Sequence, residues 1–410
     1  MESKQLDTLI IGAGIVGSSV AMHLARRGAG LGVCAIDLDL EGALSSSELN
    51  AGGVRATWGQ IVNIQTSKVS IEYYASIAEE VGYRACGYLW MHDSKKMPAA
   101  LKARELQLAQ GWPVEEWSTT ELRRRVPFID KTDDIGGVLF SPRDGLVNPN
   151  RLKMHYREHA EAGGVKFFDR TRLIAATPHA QGFEVTLEKF NDQLSVEERA
   201  ELYSGSGAGI ERREEKWQVR RIVNCAGAWA PTVAQALGYE CSSRPVRRQI
   251  SLFDCREVDL TPYGMMIDPS GVYFHPEGTN GLAGFANSDE PPGVNYAYDG
   301  ESFFQNHIWP ALYERSTRFE ALRHVTGWAG LYEVSPDETA IVGEARGVNL
   351  GRGRVFEAHS FSGHGAMHSY GVGLGLAELM TVGRYLTLNL SPLSSERFER
   401  GETLHERLVI

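Results

Sequence analysis

The sequence predicts an α/β chain, in which a doubly wound, largely parallel sheet is interrupted by a discontinuous second domain built on an antiparallel sheet. Three observations predict it. The chain opens on a strand, a glycine turn, a helix and a second strand between Thr8 and Asp37. From Pro245 to Phe285 the pattern changes to short alternating strands broken by glycine, proline and aspartate, as in GVYFHPEG and NGLAGFA. Late in the chain a glycine-rich loop, Gly363–Gly365, leads into an apolar helix reaching about Leu386.

The opening unit is the most informative. DTLIIGAGIVG runs from the apolar strand Thr8–Ile11 into Gly12, Gly14 and Gly17, and Val16, Val20 and Leu24 fall on one helix face. Arg26 and Arg27 occupy the last turn and Gly28 stops the helix. A second strand, Val33–Ile36, ends at Asp37, 20 residues beyond Gly17. This is the Rossmann-like dinucleotide pattern. Gly12 permits the tight turn, Gly14 a close approach of pyrophosphate, and Gly17 a helix lying close on the sheet, while Asp37 accepts from ribose hydroxyls. The helix start supplies unpaired N–H groups and partial positive charge.

Further along, Phe183–Leu187 and Gln218–Val223 read as strands flanking a polar surface insertion, about 188–216, whose Gly205, Gly207 and Gly209 follow charged rather than apolar residues and read as loop. RIVNCAGAWA, from Arg221, is a strand ending in a small-residue turn, with a helix over Pro231–Leu237. Two short apolar stretches then flank Ser335, Pro336 and Asp337.

Composition narrows the function. The 410 residues allow two or three domains, and the 44 glycines, about 11%, exceed the usual ~7%. A net charge of −10 without a basic stretch excludes nucleic acid as a partner. No window approaches the ~18 apolar residues of a transmembrane segment, and MESKQLD has no apolar signal core. Five widely spaced cysteines suggest neither a disulfide framework nor a zinc site, so no metal is expected and a cytoplasmic location is predicted.

Six segments together resemble the FAD-dependent amine and amino-acid oxidoreductases that include D-amino-acid oxidase, glycine oxidase, sarcosine oxidase and dimethylglycine dehydrogenase: GAGIVG, Ser45–Arg55, Asn224–Ala230, Ser270–Gly278, Trp328–Gly343 and Phe361–Gly365. The resemblance spans nearly the whole chain. It implies an FAD-binding domain at 1–85, 148–240 and 325–410, and a substrate domain at 86–147 and 241–324. Gly12, Gly14, Ile15, Gly17 and Asp37 would hold the ADP half. Ser46, Ser47, Asn50, Gly52 and Gly53 would line the pyrophosphate and flavin edge, and Ala226 and Gly227 would pass beside the dinucleotide. Gly330, Leu331, Gly363, His364, Gly365, Ala366 and Met367 would border the flavin ring, with the late helix start facing the edge where negative charge develops on reduction.

The departures matter as much. Gly330 stands where covalently flavinylated sarcosine oxidases have cysteine, and Asn50–Gly53 lacks the flavin-linked histidine of dimethylglycine dehydrogenase, so noncovalent FAD is expected. Met367 replaces a carboxylate-binding lysine of monomeric sarcosine oxidase, Leu282 aligns with a lysine implicated in oxygen activation, and Tyr332 takes the place of the carboxylate-clamping arginine of glycine oxidase. Arg55 matches a carboxylate-pairing arginine of sarcosine oxidase, and its planar fork suits the task. Tyr273, His275 and Tyr332 are candidate donors around it, and His364 a candidate for proton transfer. Arg247 and Arg248 form a compact basic pair, with a solvated face expected for at least one of them.

The function implied is oxidation of the C–N bond of a small amine or N-substituted amino acid, with oxygen, a quinone or a protein as electron acceptor. The alternatives are an FAD-dependent dehydrogenase of 2-hydroxy acids or glycerol-phosphate-type alcohols, which would need a base such as His364 or His275, and a noncatalytic FAD-binding assembly factor. A nicotinamide-dependent dehydrogenase would need neither NAGGVR nor FSGHG.

Overall fold

The computed structural model describes residues 4–191, 194–205, 207, 209–348, 353–406 and 408. The apolar opening strand, Lys4–Ile11, lies at the middle of the first sheet, in the order Ile341–Glu344, Arg354–His359, Arg212–Asn224, Lys4–Ile11, Val33–Ile36, Lys166–Phe168. All pairings along this path are parallel except the outermost, between Ile341–Glu344 and Arg354–His359. Ile11 is level with Asn224 and Ile36, and Asn224 with Glu357, so these strands end at one edge. The glycine turn, Asp37, Ala226 and the Ser360–His364 loop all leave that edge, where open α/β sheets bind ligands.

The opening helix, Ile15–Arg26, buries Val16, Val20 and Leu24 on the sheet, and Gly28 follows it with φ +77°. The late helix, Gly365–Val382, packs beside it. It ends four residues short of the expected Leu386, because Gly383 takes a left-handed conformation and the Glu378 carboxylate accepts from the Leu386 and Thr387 N–H groups at 2.7 and 2.9 Å.

The second sheet runs Arg323–Val334, Arg244–Asp254, Asn280–Phe285, Tyr273–Glu277, Met265–Ile267, Tyr88–His92, Gly137–Ser141, Glu115–Trp117. It is antiparallel but for one pairing, Met265–Ile267 with Tyr88–His92. Arg323–Val334 pairs along its length with Arg244–Asp254, so a division of the chain at 325 falls within this strand. One face carries a second core around Phe253, Phe274 and Phe319; the other turns toward the first domain.

The polar insertion is more structured than a loop. Its flanking strands extend to Gly182–Phe190 and Arg212–Asn224 and stay paired as far as Phe190 opposite Arg212. Glu188 on the first bridges Arg212 on the second at 2.9 Å and Arg172 on the neighbouring strand Thr171–His179 at 2.7 Å. Between them Val196–Ser204 forms a helix started by a capping box, Ser195 with Glu198. Gly205, Gly207 and Gly209 follow it outside regular structure, as expected. Cys86, Cys225, Cys241 and Cys255 are free thiols, and among the described residues no cluster could hold a metal ion and no helix is long and apolar enough to cross a membrane.

Candidate active site

A cavity of about 510 Å³ runs from the carboxyl edge of the first sheet to the second sheet. Of the residues the resemblance assigns to cofactor or substrate, all line it except Gly17, Gly52 and His275. Gly17 is turned into the helix–sheet contact, where a Cβ would lie 1.9 Å from the Gly12 carbonyl oxygen. Gly52 serves a turn, donating to Asn50 Oδ1 at 2.5 Å and accepting from the Val147 N–H at 2.8 Å. His275 shares the Tyr273 face of its strand but lies about 6.6 Å further along; its ring is buried against the Pro276 carbonyl at 2.9 Å, and burial lowers its pKa to about 4. Leu282, paired with His275, is likewise outside the lining.

At the first sheet, Gly12 has φ +95°, and a Cβ on it would sit 2.3 Å from the Cys225 carbonyl oxygen. Only glycine fits. The helix begins at Gly14 without a side-chain cap, and the Ile15 N–H donates to Ser47 Oγ at 3.0 Å. Asp37 is held by backbone alone, accepting from Ala13 N–H at 2.6 Å and Asp39 N–H at 3.1 Å. Ser46 Oγ donates to the Leu331 carbonyl at 2.6 Å, tying this segment to the second sheet. The insertion helix reaches the same end: Leu202, Tyr203 and Ser204 line the cavity, and Tyr203 lies 4.8 Å from Trp229, centroid to centroid, with its hydroxyl unpartnered among the described residues.

At the second sheet stands Arg55, 1% exposed. Its Nη1 donates to the Thr57 carbonyl at 2.7 Å and its Nη2 to the Leu408 carbonyl. The guanidinium stacks over Trp58, 3.5 Å from the ring centroid, and 4.9 Å from that of Trp90. Among the described residues it forms no ion pair. Burial brings its pKa down to about 10, still cationic at neutral pH. Asp144 orders the chain beside it, accepting from Ala56 N–H at 2.8 Å, Thr57 Oγ1 at 3.1 Å and Trp112 Nε1 at 3.0 Å.

Tyr273, Tyr332 and Tyr88 surround this end, each phenol pushed up by burial and therefore neutral. Gly363, with φ +92°, lets the Tyr332 ring lie where a Cβ would be 2.4 Å from it. Ser360 and Ser362 also take positive φ, 62° and 51°, so the loop before the late helix is strained beside the cavity. His364 packs edge-on to Trp58 at 4.2 Å with Nδ1 unpartnered among the described residues; burial, and then the charge of Arg55, hold its pKa well below the usual value.

Sequence reasoning missed Tyr88, Glu333, the insertion helix and Arg248 as cavity residues. Strand alternation was a usable signal for Arg248: Val246, Arg248 and Ile250 share one face, and Arg247, Gln249 and Ser251 the polar other.

A glycine turn, an uncapped helix start and a backbone-held acid at one sheet edge, opening on a buried cation and neutral phenols at a second sheet, define a dinucleotide-dependent oxidoreductase. The profile of the FAD dependent oxidoreductase family (DAO) matches residues 7–379, and the chain belongs to that family. It is 29% identical over 442 residues to FAD-dependent oxidoreductase domain-containing protein 1 of Xenopus laevis, covering 99% of this chain and 85% of that protein. With the monomeric sarcosine oxidase of Streptomyces avermitilis it shares 22% identity over 70% of this chain and 68% of that one. The fold resembles that of the L-proline dehydrogenase from P. horikoshii, with a TM-score of 0.81 at 22% identity, covering 97% and 99% of the two chains. The protein is an FAD-dependent oxidoreductase, and the cavity, glycine cradle and Asp37 fit that cofactor.

Proposed function

We propose that the enzyme oxidises the C–N bond of a small amine or N-substituted amino acid, with noncovalent FAD held by the parallel-sheet part of the chain and substrate by the antiparallel part. The observation that carries this reading is Arg55, a buried guanidinium on the cavity that forms no ion pair among the described residues, with Glu406 and Asp144 acting on it only through space. An unpaired buried charge is costly, and a substrate carboxylate supplies the counter-charge in the geometry a guanidinium prefers.

When bound, FAD would supply a two-electron, hydride-accepting centre. The Gly12–Ile15 turn and Asp37 would hold its ADP half, and the uncapped start of the late helix would stabilise negative charge developing on it. Arg55 orients the substrate carboxylate. The aromatic wall of Tyr88, Tyr273 and Tyr332 excludes water and favours the neutral amine, whose lone pair forms the C=N bond as the hydride departs. The ammonium proton is lost to solvent beforehand, and water then hydrolyses the imine.

His364 is not positioned as a strong base. A group whose pKa lies well below 6.5 is mismatched to forming an alkoxide, which counts against the hydroxy-acid alternative.

The test is anaerobic mixing of the purified yellow protein with N-methyl, D- and L-amino acids and 2-hydroxy acids, following flavin bleaching. Bleaching by an N-substituted or primary amino acid, with half-saturation raised 100-fold or more in Arg55→Met, is expected. Bleaching by hydroxy acids alone, or by nothing in the panel, refutes the reading. Admitting air to the reduced protein separates oxidase from dehydrogenase, and acid precipitation should leave the yellow colour in the supernatant.

A further inference from the structure

The strand Arg244–Asp254 treats its two adjacent arginines differently. Arg247 points away from the cavity and is saturated: Nε and Nη2 donate to Glu290 at 2.7 and 3.1 Å, and Nη1 donates to Asp299 at 3.0 Å and to the Ala297 carbonyl at 2.6 Å. Arg248 points the other way and lines the cavity. Its Nη1 donates only to the Arg247 carbonyl, at 3.0 Å, and its guanidinium lies 5.2 Å from the centroid of the Tyr332 ring. Nε is buried without a partner among the described residues, and no carboxylate pairs with the group. The cavity therefore holds a second cation that, like Arg55, meets an aromatic face and a backbone carbonyl and forms no ion pair among the described residues.

Asp144 and Glu406, buried outside the cavity lining, lie in the field of Arg55 but form no ion pair with it among the described residues. Only two carboxylates line the cavity, Asp37 and Glu333. Asp37 lies at the carboxyl edge of the first sheet, tied to Ala13 and Asp39. Glu333 follows Tyr332 on the same strand and so points to the opposite face, toward Gly227, where a Cβ would meet its Oε2 at 2.9 Å. The phenols nearby are neutral, Tyr88 in the field of Arg55 and Tyr273 in that of Arg248. Tyr332 is in the field of both, since Arg248 and Arg55 each oppose the rise that burial imposes on its pKa.

We propose that Arg248 and Tyr332 form a second anion subsite, and that the substrate is an amino dicarboxylate, one carboxylate on Arg55 and the other on Arg248. This rests on the amine-oxidation reading above and narrows its substrate class. A monocarboxylate would leave the half-buried Arg248 guanidinium without a carboxylate, whereas a dianion pairs with both arginines, and the buried Arg248 Nε–H gains the acceptor it lacks among the described residues.

Binding can be read without turnover, from the change in flavin absorbance as the holoprotein is titrated with malonate, succinate or glutarate against propionate or butyrate. The expected result is a 30-fold or greater preference for at least one dicarboxylate over its monocarboxylate counterpart. The preference should fall below 3-fold in Arg248→Gln and recover in part in Arg248→Lys, with FAD content checked in each variant. Equal binding of mono- and dicarboxylates by the unmodified protein, or a preference that survives in Arg248→Gln, overturns the subsite. Anaerobic reduction by N-methylaspartate and N-methylglutamate against N-methylalanine then tests the substrate. Dicarboxylate binding that depends on Arg248 without reduction by any amine would sink the amine-oxidation reading and leave the subsite standing; reduction by N-methylalanine as readily as by the diacids would sink the substrate class.

Discussion

Glu333→Gln is expected to change how stability depends on pH, by an amount the structure sets. Glu333 is buried; its Oε1 accepts from the Phe361 N–H at 3.3 Å. Burial raises its pKa from the ordinary 4.5 to about 7, the Phe361 N–H and His359 opposing only in part. Between those two values the folded chain holds a proton that the unfolded chain has released, so stability falls as pH rises through the window and levels off above it. The gap corresponds to roughly 3 kcal/mol. Glutamine keeps the shape and cannot ionise. The stability of Glu333→Gln relative to the unmodified protein should therefore grow by roughly 3 kcal/mol from pH 4.5 to 7.5, then stay level.

The assay is urea unfolding followed by tryptophan fluorescence in excess FAD at matched pH values. Asp144, raised by burial to about 6, titrates in the same window but equally in both proteins, and cancels in the difference. A difference independent of pH would show that Glu333 ionises as a solvated carboxyl does and would refute the reasoning, as would a slope of opposite sign.

Two further outcomes are expected. Tyr203→Ala removes the ring that the insertion helix places against Trp229 at the dinucleotide end, and should weaken FAD binding about 10-fold, a loss near 1.4 kcal/mol, in a fluorescence titration of apoprotein; unchanged affinity would make the helix a bystander. Arg397→Met breaks a buried pair, Nε and Nη2 donating to Asp337 at 2.7 and 2.8 Å, and should cost about 3–5 kcal/mol in urea unfolding because Asp337 is left uncompensated. Asp337 also accepts from the Leu404 N–H at 3.0 Å, so the same variant should become more sensitive to proteolysis near residue 404.

What was legible in the sequence was what neighbours in sequence decide. The glycine turn, helix and acid from Gly12 to Asp37 are read within one βαβ unit because their geometry is local, and the capping box Ser195–Glu198 could have revealed the insertion helix by the same logic. That this helix reaches the cavity could not be read, since it depends on where two extended strands deliver it. The surroundings of Arg55 lay further out of reach: the carbonyl that accepts from its Nη2 belongs to Leu408, 353 positions away. His275 shows the converse. Its place two residues from Tyr273 suggested a shared site, but on a strand that interval carries a side chain about 6.6 Å along the same face, beyond the end of the cavity.

The overall charge of −10 and the cavity's cations are compatible because they act over different distances. At physiological ionic strength an exposed charge is screened within about 8 Å, so the acidic surface has little influence on an anion already inside, whereas Arg55 and Arg248 act at contact through low-dielectric surroundings. An enzyme arranged this way does not gather anionic substrates by steering. On the reading proposed above it selects them after entry, by which of them can pair with the buried Arg55 and the half-buried Arg248, neither of which has an ion pair among the described residues.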